Sequence, residues 1–285
     1  MGNREFLNSS CMRELLEKHP LSEELQERYE ASLMRIYESR KLCEGCRGLY
    51  MCPQARPGER LSFSYDGVLL REVEHCPYEK ERQRQEDLSS SYVYSDIPEQ
   101  LLTLDLSNIE LEDNALKQLY VLIYDIYEGK RDRGLYICGD LGVGKTYMSI
   151  ALANSLVKKG VKTAFVKTAD FINDMRRAVV NDTARYDAVI RSLMEAEVLI
   201  LDDLGSESVS SFSRDDVLFP ILDYRLENKM MTLFTSNLTK TDLLRYYMYD
   251  KSDKAQALRA RRLVERIDIL SDEYVLQGRN KRRPL

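Results

Sequence analysis

Beyond about residue 97, short continuous apolar runs alternate with longer segments whose apolar residues recur at helical spacing. The runs lie within residues 134–140, 198–205 and 231–237, and amphipathic segments such as 144–160 separate them. Continuous apolar strands that alternate with helices are typical of a parallel sheet covered on both faces. The pattern therefore predicts an α/β domain over residues 97–285.

The first 96 residues follow a different pattern. A helix is predicted over residues 22–42 with Ser22 as its N-cap, and the alternating segment 61–79 predicts a hairpin that turns at Asp66-Gly67. Residues 79–96 are charged, then serine-rich, and poor in apolar side chains, which indicates a linker. The predicted organisation is a small α+β domain at residues 1–78, this linker, and the α/β domain.

Composition limits the class of protein. Of the 285 residues 44% are hydrophobic and 31% charged, which is typical of a soluble globular chain, and no apolar run approaches the roughly 20 residues of a membrane helix. The N-terminal segment lacks the apolar core of a signal peptide, so we expect a cytoplasmic protein with reduced thiols. The net charge of the chain is −5, but residues 254–285 carry nine Lys/Arg against four Asp/Glu. This segment can therefore bind phosphate groups although the whole chain is acidic.

Residues 139–146, GDLGVGKT, match the phosphate-loop pattern at each fixed position, with a predicted strand before them and a helix after them. Glycines let the backbone turn and aim its N–H groups at phosphate oxygens, and the helix N-terminus favours the same anion. The Lys145 ammonium would reach the β- and γ-phosphates, and the Thr146 hydroxyl would ligate Mg²⁺. The predicted ATP-binding residues of this segment are Gly139, Gly142, Val143, Gly144, Lys145, Thr146 and Tyr147.

Two further predicted strands end in polar residues. VLILDD ends in Asp202 and Asp203, and FTSN ends in Asn237. At the carboxyl edge of a parallel sheet, Asp202 would support Mg²⁺, Asp203 would orient or deprotonate the attacking water, and Asn237 would lie between water and γ-phosphate. The alternative is that both strands simply end in polar turns.

A basic segment follows, LRARRLVERIDIL, with apolar residues on one helical stripe and four arginines outside it, Arg259, Arg261, Arg262 and Arg266. Arginine is suited to stabilising charge on a transferring phosphoryl group. A solvated cationic helix face remains the alternative for each of them.

Three cysteines lie within ten residues, at Cys43, Cys46 and Cys52, and Cys76 follows the predicted hairpin beside His75. Zinc takes four Cys or His ligands in a tetrahedron, and a hairpin can return the last of them. A redox C-x-x-C pair is disfavoured because a helix precedes the pair, and unrelated thiols remain an alternative. We predict zinc on Cys43, Cys46, Cys52 and Cys76, with His75 as the reserve for the last position.

The motifs LILDDLGSE, FTSNL and RRLVERI together resemble AAA+ ATPases, and within them the bacterial replicative helicase loaders of the DnaC/DnaI group. The resemblance runs from about residue 97 to the C-terminus. It implies an AAA+ fold, with Arg262 as an arginine finger acting on ATP in a neighbouring subunit and Arg266 as a sensor-2 residue in its own subunit. Arg261 stays an alternative for the finger.

The same resemblance implies partners. An extra helix before the Asp202 strand helps these ATPases to grip single-stranded DNA, which would place Arg176 and Arg177 on phosphates without sequence preference and Phe171 on a base or in the core. Loaders of the DnaI type carry an N-terminal zinc domain that docks on the hexameric replicative helicase. That pattern includes a histidine that this chain lacks between Cys46 and Glu74.

The sequence thus predicts an ATP-dependent loader that places the replicative helicase on single-stranded DNA at the start of replication. Asp203 is one methylene shorter than the glutamate of many AAA+ proteins, so slow, switch-like hydrolysis is expected. The rivals are a transposase-helper ATPase of the IstB type, whose usual N-terminus lacks a zinc cluster, and an adaptor that holds ATP as a structural ligand.

Overall fold

The computed structural model describes residues 4–111, 113–248 and 254–281. The chain forms two compact units, Met1–Glu86 and Asp87–Leu285. The division lies inside segment 79–96, the predicted linker, but most of that segment is helical rather than extended. The predicted domain bounds of 1–78 and 97–285 therefore stay a prediction at both ends of the linker.

The first unit combines helices with a two-stranded hairpin. Its helices are α1 (Ser10–Lys18), α2 (Glu23–Arg28), α3 (Glu30–Lys41) and α4 (Pro77–Ser90), of which α4 continues past Glu86, and 3-10 turns cover Arg4–Asn8 and Leu49–Met51. Strands β1 (Glu59–Tyr65) and β2 (Leu69–His75) pair antiparallel, which confirms the hairpin. A small core forms around Met12, Leu15, Leu33, Ile36 and Phe63.

The helix predicted over residues 22–42 is divided into two. Ser22 caps α2 as predicted, since its Oγ accepts a hydrogen bond from the Leu25 amide at 3.4 Å. Tyr29 (φ −108°, ψ 17°) departs from helical geometry and separates α2 from α3. The prediction of one continuous helix was wrong because the apolar spacing of Leu25, Tyr29 and Leu33 continues through this break.

The second unit is built on a six-stranded sheet. Its strands are β3 (Tyr94–Ser95), β4 (Gly134–Cys138), β5 (Thr163–Lys167), β6 (Val198–Asp202), β7 (Met231–Ser236) and β8 (Ser271–Val275). They pair in the order β3-β5-β6-β7-β4-β8, and each neighbouring pair is parallel. The predicted parallel α/β sheet is confirmed. β3 belongs to this sheet although it precedes residue 97.

Helices cover both faces of the sheet. They are α5 (Asn114–Tyr127), α6 (Lys145–Lys158), α7 (Thr168–Asn181), α8 (Thr183–Glu195), α9 (Phe219–Glu227), α10 (Lys240–Tyr247) and α11 (Lys254–Leu270). One core includes α5 and α6 and another includes α7 to α11, and strands β4 to β7 are buried along nearly their whole length. A π-helix at Phe212–Leu218 leads into α9. Within the described residues, none of the helices has the length and apolar character needed to span a membrane.

Candidate nucleotide site

The phosphate loop connects β4 to α6, as its pattern predicted. Gly139, Gly142 and Gly144 all have positive φ, and Gly144 (φ 110°) immediately precedes Lys145 at the first position of α6. Val143 is buried in the core beside α5 and α6 and anchors the loop. The loop therefore turns directly into a helix N-terminus, where unpaired N–H groups and the helix dipole favour an anion.

Lys145 is held at the centre of the site. Its Nζ donates to the carbonyl oxygens of Gly139 (2.7 Å) and Asp140 (2.8 Å) and to Oδ1 of Asn237 (2.9 Å). Burial lowers the pKa of this ammonium, while the carboxylates of Asp203 and Asp202 act in the opposite direction. The geometry places one cation between the phosphate loop and the end of β7.

Asp202 and Thr146 face each other across the loop. The Thr146 hydroxyl lies 3.0 and 3.2 Å from the two carboxylate oxygens of Asp202, and Thr235 Oγ1 donates to Asp202 Oδ1 at 2.6 Å. Asp202 is only 3% exposed, and burial raises its pKa despite these hydrogen bonds. A hydroxyl and a carboxylate in this arrangement are oxygen ligands of the kind that Mg²⁺ takes beside nucleotide phosphates.

Asp203, the residue that follows β6, has an uncommon backbone conformation. Its φ of 55° is in the left-handed region, which costs a residue with a Cβ about 1–2 kcal/mol. The conformation is fixed by two bonds, since its amide donates to Thr235 Oγ1 (2.8 Å) and its Oδ1 accepts from Asn237 Nδ2 (2.9 Å). Strained residues that the surroundings hold in place are typical of functional sites.

These side chains line one cavity of about 840 Å³, within the range of small-molecule sites. Its polar end brings together the predicted residues Gly142, Gly144, Lys145, Thr146, Tyr147, Asp202, Asp203 and Asn237. Its apolar wall comes from Pro98, Leu101, Leu116 and Ile150. The arrangement suits a ligand with a charged phosphate end and a flat apolar end. Gly139 is not in this wall, but its carbonyl holds Lys145.

Two buried polar residues beside the site, Thr235 and Glu207, were not predicted from the sequence. Thr235 bonds to both aspartates. It lies two positions before Asn237, so strand alternation would give the two side chains the same face, but its partners depend on the pairing of β6 with β7. Glu207 is 2% exposed, accepts from the Gly205 amide (2.9 Å) and pairs with the hydroxyl of Tyr247. It ties the turn after Asp203 to α10.

The arginines predicted as finger and sensor lie outside the nucleotide cavity of their own chain. The guanidinium groups of Arg262 and Arg266 lie 4.9 and 5.2 Å from the ring centre of Phe219, and Arg266 also bonds to Asp223 at 2.9 Å. Neither lines the nucleotide cavity of its own chain. Arg261 is exposed on the same helix. The structure thus packs α11 against α9, and the two roles stay predictions.

The predicted DNA-binding arginines are exposed on α7. Arg176 lies near Ser210 Oγ (3.3 Å) and over the Phe212 ring, and Arg177 pairs with Asp174 while staying 74% exposed. Phe171 is fully buried and meets Tyr94 edge to face. Of the two possibilities for Phe171, packing in the core is therefore confirmed.

The four predicted zinc ligands line a separate cavity of about 170 Å³ in the first unit. Cys43 Sγ accepts from Gln54 Nε2 (3.3 Å) and Cys52 Sγ from the Gly58 amide (3.4 Å), and the Cys76 amide donates to the Gly58 carbonyl (2.7 Å). His75 Nδ1 is 3.4 Å from Gln83 instead. Among residues 4–111, 113–248 and 254–281, however, no three Cys, His, Asp or Glu side chains are arranged to hold a metal ion.

Comparison with known proteins gives the family. The family profile described as "IstB-like ATP binding protein" matches residues 79–281, which is more than half of the chain and contains the whole nucleotide site. The chain belongs to the IstB-like ATP-binding protein family. The membership agrees with the site's geometry, in which a phosphate loop faces paired aspartates.

The chain is also similar to helicase loaders. It is 27% identical to the replicative helicase loader DnaI of Bacillus subtilis (strain 168) over 267 residues, which are 91% of this chain and 85% of DnaI. A crystal structure of DnaI matches 70% of this chain and 99% of its own length, with 31% identity and a TM-score of 0.57. AMPPCP-bound DnaA from Aquifex aeolicus matches 62% of this chain and 51% of its own, at 19% identity and a TM-score of 0.50, and supports the AAA+ fold alone.

Proposed function

We propose that this IstB-like protein is an ATP-dependent loader of the replicative DNA helicase onto single-stranded DNA during initiation of replication. The observation that carries the proposal is the similarity to DnaI over 91% of the chain, which extends well before residue 79, where the IstB-like match begins. A transposase-helper ATPase, the rival that the family name favours, would require similarity only over the ATPase unit.

The site supports ATP hydrolysis by positioning rather than by covalent chemistry. Lys145 binds the β- and γ-phosphates, and Thr146 and Asp202 hold Mg²⁺, which neutralises phosphate charge when bound. Asp203 accepts the proton of the attacking water, and Asn237, which bonds to both Asp203 and Lys145, orients that water. Arg262 of a neighbouring copy stabilises the charge that develops on the γ-phosphate, whereas Arg266 bonds to Asp223 outside its own cavity, so its sensor-2 role stays a prediction.

Asp203→Asn should abolish most ATP turnover while leaving ATP binding nearly intact. The amide keeps the size of the carboxylate but accepts no proton, and general-base loss costs about 10²–10⁴-fold in rate. Turnover by phosphate release and affinity by calorimetry separate the two effects, with Asp132→Asn, an exposed aspartate outside the cavity, as the matched control. Unchanged turnover in Asp203→Asn would favour the structural-ATP adaptor.

The cysteine cavity supports a zinc site in the first unit. Cys43, Cys46, Cys52 and Cys76 line one cavity, and N–H donors already point at two of the sulfur atoms, as they do around metal-bound thiolates. Four cysteines suit Zn²⁺, which would fix the segment between α3 and β1 to the start of α4. In this proposal the fourth zinc ligand is Cys76, which lines the cavity, and not His75, which does not.

Purified full-length protein should carry one zinc per chain, and Cys43→Ser and Cys76→Ser should each lower zinc content by more than half. Serine removes the thiolate on which Zn²⁺ binding depends. Elemental analysis of the purified protein provides the measurement, and Cys11→Ser, which lies outside the cavity, is the control. Full zinc occupancy in both cavity variants would show that these cysteines do not bind it.

The DNA contact and the self-association belong to the same proposal. Arg177 is largely exposed on α7, and a guanidinium in that position suits phosphates of any sequence. Arg262 is exposed on α11 and does not line its own cavity, which is what a residue acting on a neighbouring copy requires. These exposed arginines support a contact of single-stranded DNA with α7 and of a second copy with α11.

The docking role of the first unit rests on an exposed apolar patch beside the cysteine cavity. Tyr50 is 86% and Met51 64% exposed, and large exposed apolar side chains mark interaction surfaces. In co-purification of the full chain with the cognate replicative helicase, the double change Tyr50→Ala and Met51→Ala should weaken binding at least about tenfold, as for interface hot spots.

Val180→Ala, on an equally exposed residue of α7, is the matched control and should bind helicase as the unchanged protein does. Undiminished helicase binding by the double variant contradicts docking through the first unit. Recovery of a transposase in place of the helicase supports the rival function.

A further inference from the structure

The segment that follows β8, residues 276–281, runs along the phosphate loop and is called the strap here. It is bonded to the loop region at both ends. The Leu276 amide donates to the Cys138 carbonyl at 2.7 Å, and the Lys281 amide donates to the Gly142 carbonyl at 2.9 Å. The loop that binds phosphate is thus fastened to the C-terminal part of its own unit.

The strap lies close to two glycines of the loop, at Gly139 through its backbone and at Gly142 through a side chain. A Cβ on Gly139 would lie 2.1 Å from the Leu276 carbonyl oxygen, and a Cβ on Gly142 would lie 2.1 Å from Oδ1 of Asn280. Gly142 is not a fixed position of the phosphate-loop pattern. The strap adds to the requirement set by its φ of 78°, because a Cβ here would force the Asn280 side chain to move away from the loop.

The strap also brings a cation to the cavity. Lys281 lines the cavity wall, and its Nζ is 3.5 Å from Asp113 Oδ2. Asp113 caps α5 by accepting from the Leu116 amide at 2.8 Å, and this bond, with help from Lys281, lowers the pKa of Asp113. Leu116 belongs to the apolar wall of the same cavity. Lys281 therefore lies between the phosphate loop and the helix that forms the apolar end.

We propose that the strap is part of the nucleotide site and that Lys281 is a nucleotide-binding residue. Its ammonium adds positive charge to the cavity and balances Asp113, so that the site accepts the phosphates of ATP or ADP without opposition from that carboxylate. The inference deepens the proposed function and rests on its ATP binding. Neither the phosphate-loop pattern nor the finger and sensor motifs include this residue.

The test is the affinity of the full chain for ATP and for ADP, measured by calorimetry with Mg²⁺ present. Lys281→Ala should weaken the affinity for each nucleotide about three- to tenfold, and Lys281→Glu should weaken it more. Lys281→Arg should keep an affinity within about twofold of that of the unchanged protein. Arg279→Ala is the matched control, because Arg279 is an exposed cation of the same strap and does not line the cavity. The loss in Lys281→Ala should shrink as salt is raised.

Three results overturn the inference. The first is that Lys281→Ala binds ATP and ADP as tightly as the unchanged protein. The second is that Arg279→Ala loses as much affinity as Lys281→Ala, which would indicate a general effect of charge. The third is that Lys281→Arg does not restore the affinity, which would indicate a structural role. Lys145→Ala separates this from the proposed function. If the unchanged protein binds ATP no better than Lys145→Ala does, the nucleotide site itself is wrong.

Discussion

Lys145→Ala should abolish ATP binding, with a loss of at least about 100-fold in affinity, since removal of a charge-assisted contact in a water-poor site costs about 3 kcal/mol or more. Lys145 is 7% exposed, and its ammonium contacts the loop carbonyls and Asn237, where we expect the phosphates to bind. Without it, Asp202 and Asp203 remain and repel the phosphates. Calorimetry with Mg²⁺ and ATP measures the loss.

Lys159→Ala is the control for that result. Lys159 directly follows the same helix, and its Nζ donates to the Tyr127 carbonyl (3.0 Å) and lies 4.2 Å from the Tyr127 ring centre, outside the cavity. Its removal changes the net charge equally and should leave ATP affinity unchanged. Tight ATP binding that survives in Lys145→Ala would refute the site at the loop.

The sheet and the phosphate loop could be predicted from sequence because their signals are local. A buried strand is a short apolar run, and a phosphate loop needs glycines at fixed positions, so β4, β6 and β7 and the start of α6 were found. The same reasoning failed at Tyr29. Apolar spacing persists across the break in the helix, and a one-residue change of backbone direction leaves no trace in that spacing.

The rest of the site depends on which strands are neighbours. Thr235 could be assigned a role only once β7 was known to lie beside β6, because its hydroxyl bonds to Asp202 and to the Asp203 amide. Lys281 is more remote still, since it lies 135 positions after Thr146 in the chain, and only the pairing of β8 with β4 returns it to the loop. Such contacts follow from the order of the strands in the sheet, and the spacing of apolar residues along the chain does not reveal that order.

The arginine-rich helix illustrates the limit of motif transfer. Its pattern predicted an amphipathic helix, and α11 confirms that with Leu263, Ile267 and Leu270 buried. The pattern alone did not predict that Arg262 and Arg266 would both lie on Phe219. A long arginine side chain at the surface can reach several neighbouring groups. The sequence therefore predicts the helix that carries such an arginine better than it predicts the contacts of its guanidinium.

A buried arginine supports the site from the opposite edge of the sheet. Arg225, on α9, is fully buried and donates five hydrogen bonds, to the carbonyls of Leu193, Met194, Ala196 and Met231 and to the Thr232 hydroxyl. Burial lowers its pKa to about 9, so it stays charged at neutral pH. It joins the end of α8 to the start of β7, the strand that Asn237 follows, and thereby anchors a strand that leads to the proposed catalytic side chains.

Arg225→Ala should destabilise the second unit by about 3–5 kcal/mol, because buried carbonyls lose their donor and a cavity remains. Arg225→Lys should cause a smaller loss of stability than Arg225→Ala, since an ammonium offers three donors in place of five. Urea unfolding, combined with hydrogen exchange of the β6 and β7 amides to report on this unit alone, measures both. Arg245→Ala, whose side chain is 71% exposed and pairs with Asp242, should change stability by less than about 1 kcal/mol. Equal, small effects of Arg225→Ala and Arg245→Ala would contradict the anchoring role, because they would mean that the carbonyls find other donors when the guanidinium is removed.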